Sequence, residues 1–425
     1  MWNSRVKTLL RPGLGLKRWL ALLLISLTLF SLGSGFAMAI SISPRMLPVL
    51  RTLTLGAFPP MVRGAVFIVA GLIFGGLAAY HIYKWTVTGA SQRRGSMDIL
   101  TAVDIAQHRG RGPRIVAIGG GTGVSTILRG LKRITGNLTA IVTIADDGGS
   151  SGRLRDDLGM PALGDARNCL IALSESGPLM EELFDYRFNS GSNLNGHSLG
   201  NLLLAALYDG QGGMQAGLEA AAQLLSVSGR VMPVSDDNNL VIMGETIYGH
   251  KLRGESEVGH APDPLLRVWI EPEEAFANLS ALLAIQQADM IIIGPGSLYT
   301  SIIPNFLIPD IREAVIESKA PKIFVCNIAT QPHETDGYGV KEHLKVFQAH
   351  SSISVSHILI NSNVRELPKE WDQVAVPAIS KIDGFEGVVI LTDLVDDGRP
   401  TRHDPQKVAQ AIMRIAAGPS KVSKI

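Results

Sequence analysis

The sequence is poor in cysteine, since 425 residues contain only two, Cys169 and Cys326. Each stands alone in an apolar stretch and neither belongs to a Cys-x-x-Cys pair, which argues against a zinc site or a disulfide framework. We expect both to be buried, reduced thiols. The chain also lacks a net charge of either sign, because 39 Lys and Arg balance 38 Asp and Glu. This balance gives no electrostatic reason to expect a nucleic-acid partner.

Some common catalytic motifs are missing as well. The sequence has no His-Glu-x-x-His zinc motif, and no Lys-Ser or Lys-Thr pair follows its first glycine-rich turn as it would in a P-loop. No clear nucleophile has a base near it in the sequence. The sequence therefore supports ligand binding better than catalysis.

Charged residues are absent from two apolar segments near the N-terminus, within 19–44 and 64–83. About 20 apolar residues span a bilayer as a helix, so we predict that residues 1–85 form a membrane anchor with two transmembrane helices, about 19–42 and 64–83. Lys and Arg flank both segments, which predicts an inner-membrane protein with its main domain in the cytoplasm. The Ala37-Met38-Ala39 sequence leaves signal-peptide cleavage open as an alternative, and the second helix would then still anchor the protein.

The rest of the chain alternates strand-like and helix-like segments. We predict a linker at 86–113, a nucleotide-sugar-binding domain at 114–418 and a tail at 419–425. The alternation predicts an α/β, Rossmann-like, doubly wound and mainly parallel sheet. Short strand-like runs separated by Gly, Pro, Asn and Asp predict a small β-rich insertion at 230–270.

A glycine-rich turn follows the first predicted strand, 114–118. Its residues, Gly119 to Gly123, lead directly into a predicted helix at 122–134. Backbone N–H groups at the start of a helix bind phosphate well, so this turn is a candidate phosphate site. A plain tight turn between a strand and a helix is the alternative.

Two adjacent carboxylates, Asp146 and Asp147, follow the second predicted strand, 138–145. They can bind a ribose hydroxyl or hold Mg²⁺ through water, and Mg²⁺ is the one cofactor that the sequence suggests. Ser150, Ser151 and Arg153 follow, and hydroxyl and guanidinium groups suit a diphosphate. A helix cap or a solvated turn is the alternative for the acid pair.

Two further clusters combine acid, cation, amide and hydroxyl groups. Asp165, Arg167 and Asn168 form one, although an Asp165–Arg167 ion pair would explain it without a ligand. Ser198 and Asn201 form the other at the start of an apolar helix, where Ser198 can serve simply as the N-cap.

A second glycine-containing turn follows a later apolar strand and, like the first, is a candidate phosphate site. Gly294, Gly296 and Ser297 present backbone N–H and hydroxyl groups there, and Asn327 and Thr330 follow the next strand. Polar groups at the carboxyl ends of several parallel strands converge on one crevice, which is where open α/β sheets bind ligands.

Five motifs in order resemble the bacterial gluconeogenesis-factor family, which is related to the 2-phospho-L-lactate transferase of deazaflavin coenzyme synthesis. They are Ala117–Gly123, Ile144–Arg153, Gly164–Cys169, Gly196–Asn201 and Ile293–Tyr299. The resemblance runs from about Arg114 to about Ala417 and does not cover the apolar N-terminal segments. The sequence Gly149–Arg153 resembles the gluconeogenesis-factor branch more than the transferase branch.

The resemblance implies a Rossmann-like fold, binding of UDP-sugars such as UDP-N-acetylglucosamine, and a role in cell shape and envelope synthesis during gluconeogenic growth. It favours a non-catalytic regulator, with a Mg²⁺-dependent 2-phospho-L-lactate transferase-like enzyme as the alternative. Homo-oligomers and envelope-synthesis proteins are the expected protein partners, and a scaffold that tethers partners at the membrane is a third hypothesis. The candidate ligand-binding residues are Gly119, Gly120, Gly121, Thr122, Gly123, Asp146, Asp147, Ser150, Ser151, Arg153, Asp165, Arg167, Asn168, Ser198, Asn201, Gly294, Gly296, Ser297, Asn327 and Thr330.

Overall fold

The computed structural model describes residues 16–37, 58–91, 112–190 and 194–417. The chain divides into two compact units, Met1–Gly110 and Arg111–Ile425. The predicted tail, most of the predicted linker and most of the potential cleavage site lie outside the described residues.

The N-terminal unit contains two helices, α1 (Leu16–Ala37) and α2 (Pro60–Ser91). They pack through small residues, because a Cβ added to Gly33 or Gly71 would lie 2.8–3.0 Å from the backbone of the opposite helix. The Ser26 hydroxyl donates to the Gly71 carbonyl across this seam at 2.8 Å. Close approach through Gly and Ser is typical of helix pairs in membranes. Helix α2 also continues six residues into the segment expected to be a linker.

One helix among the described residues is long and apolar enough to cross a membrane, over Met61–Tyr83. The apolar part of α1 is shorter and runs over Ala21–Ser34. A bilayer core of about 30 Å needs roughly 20 helical residues, so a 14-residue apolar stretch falls short. The structure thus supports one spanning helix and not the two that the sequence predicted.

The second unit contains the predicted α/β fold. Its strands are β1 (Ile115–Gly119), β2 (Leu138–Val142), β3 (Arg230–Pro233), β4 (Val241–Thr246), β5 (Lys251–Arg253), β6 (Leu265–Glu271), β7 (Met290–Ile293), β8 (Lys322–Val325), β9 (His357–Asn361), β10 (Val388–Thr392), β11 (Val395–Asp396) and β12 (Arg399–His403). Seven form one sheet in the order β10-β9-β8-β7-β1-β2-β3, and each neighbouring pair is parallel.

The central strands are apolar throughout, as expected for a parallel sheet covered on both faces. Every residue of β1 and β7 is buried. The helices of this unit are α3 (Gly121–Leu131), α4 (Gly149–Leu158), α5 (Gly164–Leu173), α6 (Pro178–Asp185), α7 (Leu199–Gln211), α8 (Met214–Leu224), α9 (Glu255–Gly259), α10 (Leu279–Gln286), α11 (Ile303–Leu307), α12 (Pro309–Glu317), α13 (Val340–Ser351) and α14 (Pro405–Ala417). A π-helix at Leu298–Ile302 follows β7, and a 3₁₀ turn occupies Lys369–Trp371.

The strand order reverses between β1 and β7. The chain runs outward from β1 through β2 to β3, then returns to the other side of β1 at β7 and continues through β8 to β10. Such a switch point opens a crevice at the carboxyl ends of the two central strands. Both glycine turns, after β1 and after β7, lie at this position.

The β-rich insertion begins later than predicted. Strand β3 pairs in parallel with β2 and is the edge of the main sheet, whereas β5-β4-β6 form a separate antiparallel sheet. The predicted start at residue 230 was wrong because a short apolar run has the same pattern in an edge strand of either sheet. The insertion also carries α9, which becomes important in the site.

Candidate functional site

A cleft of about 510 Å³ opens at the switch point of the sheet. The turns after β1, β2, β7 and β8 line it, together with α9 and the β11–β12 hairpin. Ten candidate residues reach the cleft: Gly120, Gly121, Thr122, Gly123, Asp146, Asp165, Asn168, Gly296, Ser297 and Asn327. Its volume suits a small-molecule ligand.

The two glycine turns touch each other across the switch point. A Cβ added to Gly123 would lie 2.0 Å from the Pro295 carbonyl oxygen and 3.0 Å from the Gly296 nitrogen. Real Cβ atoms do not approach backbone so closely, so glycine is required at position 123. Gly119 lies inside β1 and Gly294 beneath the second turn, so they shape the turns and do not line the cleft.

An internal carboxylate covers part of the first turn. The Gly121 N–H donates to Asp165, and a Cβ on Gly120 would lie 2.0 Å from Asp165 Oδ2. Burial and the neighbouring carboxylates of Asp146 and Glu255 raise the pKa of Asp165 to about 7. The helix start predicted to bind phosphate is therefore shared with a protein anion. Thr122 and Gly123 remain at the cleft surface.

The second turn is held from behind by polar side chains. Asn327 accepts from the Gly296 N–H at 3.1 Å and donates to the Gly296 carbonyl at 2.8 Å. Ser297 caps the π-helix, accepting from the Thr300 N–H at 3.1 Å, and its hydroxyl donates to Glu334. Burial raises the pKa of Glu334 to about 7. Because the Ser297 proton goes to Glu334, this hydroxyl is less available to a phosphate than its sequence position suggests.

Carboxylates gather at the β2 end of the cleft. Asp146 and Glu255 line it together with Asp165. Burial raises the pKa of both Asp146 and Glu255, and a neighbouring carboxylate raises each further: Asp147 acts on Asp146, and Asp146 acts on Glu255. Two nearby cations, partly buried Arg155 and buried Arg167, face away from the cleft, since Arg155 donates to the Leu240 carbonyl and Arg167 to Ser198.

The acid pair does not act as a unit. Asp146 Oδ1 accepts from the Gly148 N–H, whereas Asp147 Oδ1 accepts from the Ser256 N–H and caps α9 at 2.8 Å. Asp147 does not line the cleft. The pair therefore does not fit a shared Mg²⁺ ion, and among the described residues no three His, Cys, Asp or Glu side chains converge on a metal position. The two side chains diverge because Asp146 and Asp147 lie in the loop beyond the end of β2, where each accepts from a different backbone N–H.

Five of the candidate residues form a buried layer behind the cleft. Arg167 Nη1 donates to Ser198 Oγ at 2.6 Å and to Asn201 Oδ1 at 3.2 Å. Asn201 Nδ2 in turn donates to Ser150 and Ser151 at 3.1 and 3.3 Å. This network joins α4, α5 and α7, so these residues support the site and do not form its surface.

The remaining candidates also have structural partners. Arg153 donates to the Asn195 carbonyl at 2.9 Å. Thr330 bonds to the backbone of Val374 through both its N–H and its hydroxyl. His197 Nδ1 lies 3.0 Å from Ser150 Oγ, which is a hydroxyl–imidazole pair that the sequence did not reveal. Ser150 and His197 are both buried and neither lines the cleft, so the pair has no contact with a ligand there.

Sequence analysis missed several polar contributors to the cleft, four of them from distant elements. Glu255 comes from the insertion, and Thr401, Arg402 and His403 come from the β11–β12 hairpin. Arg402 is exposed, while His403 is buried and its pKa is lowered to about 4 by burial. These residues lie more than 100 positions along the chain from the first turn. Apart from the two arginines of the hairpin, nothing in the sequence indicates that they reach the cleft.

Both cysteines are free and buried, as predicted. Burial raises the pKa of the Cys169 thiol, and it raises the pKa of the Cys326 thiol to about 12. Both thiols therefore stay protonated at neutral pH.

The comparisons with known proteins agree with this architecture. The family described as 2-phospho-L-lactate transferase CofD matches residues 115–388. A gluconeogenesis factor of Bacillus subtilis is 41% identical over 72% of this chain and 98% of its own. One from Halalkalibacterium halodurans is 42% identical over 70% of this chain and 95% of its own.

A relative from Nostoc sp. that carries the same family name is 38% identical over 96% of this chain and 92% of its own, so this match reaches into the N-terminal unit. A crystal structure of a UPF0052-family protein from Bacillus halodurans superposes with a TM-score of 0.68 at 40% identity, covering 71% of this chain and 99% of that one. The chain therefore belongs to the gluconeogenesis-factor family, whose domain is related to the 2-phospho-L-lactate transferase CofD.

Proposed function

We propose that this protein is a membrane-anchored, cytoplasmic regulator that binds a UDP-sugar such as UDP-N-acetylglucosamine. The observation that carries the proposal is the cleft at the switch point, where two glycine turns meet through Gly123 and Pro295. This is the position at which open α/β sheets bind nucleotides. The cleft volume of about 510 Å³ suits a ligand of that size.

The cleft offers different partners for each part of such a ligand. The backbone at Thr122 and Gly123 starts helix α3 and faces the cleft, which suits a phosphate. Exposed Arg402 adds a guanidinium, which pairs well with phosphate oxygens. Asp146 and Asp165 accept hydrogen bonds from hydroxyl groups.

Two findings favour a regulator over an enzyme. The relatives that align over nearly their whole length are named gluconeogenesis factors. The hydroxyl–imidazole pair of Ser150 and His197 is buried outside the cleft. In this proposal the level of the sugar nucleotide depends on carbon supply, and the ligand-bound protein regulates envelope-synthesis proteins. This regulation maintains cell shape during gluconeogenic growth.

The membrane anchor is the second part of the proposal. Helix α2 supplies the span over Met61–Tyr83, and α1 packs against it through Ser26 and Gly71. The Nostoc relative aligns through the same region, which supports a shared function for it. Cell fractionation tests the anchor: the full chain should sediment with membranes and a chain lacking residues 1–97 should not, whereas soluble full-length protein would contradict it.

Isothermal titration calorimetry tests the binding. We expect UDP-N-acetylglucosamine to bind one site per chain, with no heat from NAD or GTP and no turnover of the ligand. Replacing Arg402 by Gln should weaken binding at least tenfold, because a charged partner of the diphosphate is lost. Arg133→Gln is the matched control, since Arg133 is exposed in the turn beyond the C-terminal end of α3. Equal binding by both variants would remove Arg402 from the site.

A transferase is the alternative function, and the match to CofD over residues 115–388 favours it. It predicts release of free nucleotide when a deazaflavin acceptor, a nucleotide-activated phospholactate donor and Mg²⁺ are supplied together. The Asp146–Asp147 pair does not supply a shared metal site, so this alternative needs other ligands for Mg²⁺. No nucleotide release at high protein concentration would reject it.

A further inference from the structure

The strand order makes the two ends of the cleft chemically different. The turns after β8, β7, β1 and β2 follow one another along the carboxyl edge of the sheet. Three strand spacings separate the first from the last, about 14 Å in all. A ligand that lies along this edge therefore meets a different wall at each end.

The β8 end presents apolar and amide groups. Ile328, Ala329, Gln331 and Gln373 line the cleft there. Aliphatic side chains suit the faces of a planar base, and amide groups match the alternating donors and acceptors on the edge of a uracil. The ionisable groups nearest this end belong to the β11–β12 hairpin. His403 bonds to the Cys326 carbonyl after β8 and stays neutral, because burial lowers its pKa to about 4, and Arg402 precedes it in the cleft lining.

The β2 end presents Asp146, Asp165 and Glu255. Asp165 already accepts the Gly121 N–H, and Glu255 accepts from Thr300. The neighbouring cations Arg155 and Arg167 are turned away and bonded elsewhere. The wall is therefore an array of hydrogen-bond acceptors with excess negative charge.

Resting on the proposed UDP-sugar binding, we infer an orientation and a selectivity for the ligand. The uracil lies at the β8 end, the diphosphate over Thr122 and Gly123, and the sugar at the β2 end. Asp165, Asp146 and Glu255 then select neutral sugars and amino sugars over sugars that carry a carboxylate.

The selectivity follows from charge. Hydroxyl groups of a neutral hexose donate to carboxylates, and an ammonium group does so with added attraction. The carboxylate of a hexuronic acid would face three like charges in a partly buried site, where screening by water is weak.

The test compares three ligands that share the UDP group. The full chain in detergent micelles is titrated at pH 8 in EDTA with UDP-glucose, UDP-glucosamine and UDP-glucuronate. We expect UDP-glucuronate to bind at least tenfold more weakly than UDP-glucose, and UDP-glucosamine to bind at least as tightly. Asp165→Asn keeps an oxygen acceptor for the Gly121 N–H and removes the charge. It should therefore reduce the ratio of the affinity for UDP-glucose to the affinity for UDP-glucuronate at least threefold.

Asp157→Asn is the matched control, because Asp157 is exposed on α4 outside the cleft. The ratio should stay unchanged in this variant. Glu255→Gln, on a separate element, repeats the test should Asp165→Asn fail to fold. Equal affinity for UDP-glucose and UDP-glucuronate would overturn the inferred orientation while leaving the proposed function intact. Failure of every UDP-sugar to bind would overturn the proposed function itself.

Discussion

Replacing Gly123 by Ala tests whether the two glycine turns are a single structural unit. A Cβ at position 123 would lie 2.0 Å from the Pro295 carbonyl oxygen and 2.5 Å from its carbon. Backbone atoms cannot rotate away as a side chain can, so the turns after β1 and β7 must separate. The same movement would widen the part of the cleft where we place the diphosphate.

The size of the effect can be worked out. Overpacking costs about 1–3 kcal/mol, and contact with backbone belongs at the upper end, about 3 kcal/mol. Alanine gains about 1 kcal/mol over glycine in a helix, which leaves a net loss of about 2 kcal/mol. An unfolding entropy of about 2.1 cal/mol/K per residue makes each 1 kcal/mol worth about 1.5 °C in the unit Arg111–Ile425, so we expect Tm to fall by about 3 °C.

Differential scanning fluorimetry of fragment 111–425 measures this change. The fragment is justified because the Bacillus halodurans structure matches over 99% of its own chain and 71% of this one. Gly210→Ala is the matched control, since a Cβ there meets nothing within 4 Å and Gly210 also lies in a helix. It should raise Tm slightly. A Gly123→Ala protein with unchanged Tm and unchanged UDP-sugar affinity would refute the close contact between the turns.

Three further predictions concern charge, the buried network and the helix pair. The folded state holds the pKa of Glu334 at about 7, against an ordinary value near 4.5. Glu334 therefore stabilises the folded state fully below about pH 4.5 and loses this contribution as the pH rises through 7. Between pH 5 and 8 the Tm of Glu334→Gln should fall less than the Tm of wild type. Asn201→Ala removes the amide that joins buried Arg167 to Ser150 and Ser151 and should lower the free energy of unfolding by about 1–3 kcal/mol in urea titrations, whereas a loss under 0.5 kcal/mol would contradict the network. Gly71→Leu should separate α1 from α2 in a cysteine cross-linking experiment, whereas Gly76→Leu, where nothing lies within 4 Å, should not; equal cross-linking would contradict the seam.

The fold was predictable because local patterns determine it. Buried apolar runs such as β1 and β7 identify strands of a parallel sheet, and glycine turns after them mark the carboxyl edge. Edge strand β3 was assigned to the insertion because its pattern does not reveal its partner. The apolar part of α1, Ala21–Ser34, is also shorter than the predicted span of about 19–42. The prediction rested on the absence of charged residues, and a segment without charge is not apolar along its whole length.

The site was predictable only in part, because orientation decides which polar residues face a ligand. Asp146 and Asp147 are neighbours in sequence, yet one lines the cleft and the other caps α9. Asn201 looked like a ligand contact and instead joins a buried network. Glu255 and Arg402 reach the cleft from the insertion and the final hairpin, and such distant contacts leave no local signal in one sequence.

Hydrogen exchange with and without UDP-N-acetylglucosamine tests the central claim most directly, because it reports where the ligand binds. We expect slower exchange in the segments 120–126, 295–301 and 401–403, which contain residues that line the cleft. A second hollow, at the opposite ends of β1 and β2 and lined by 136–139 and 229–230, provides an internal reference that should not change. Protection confined to that second hollow, or absent from the glycine turns, would contradict the account.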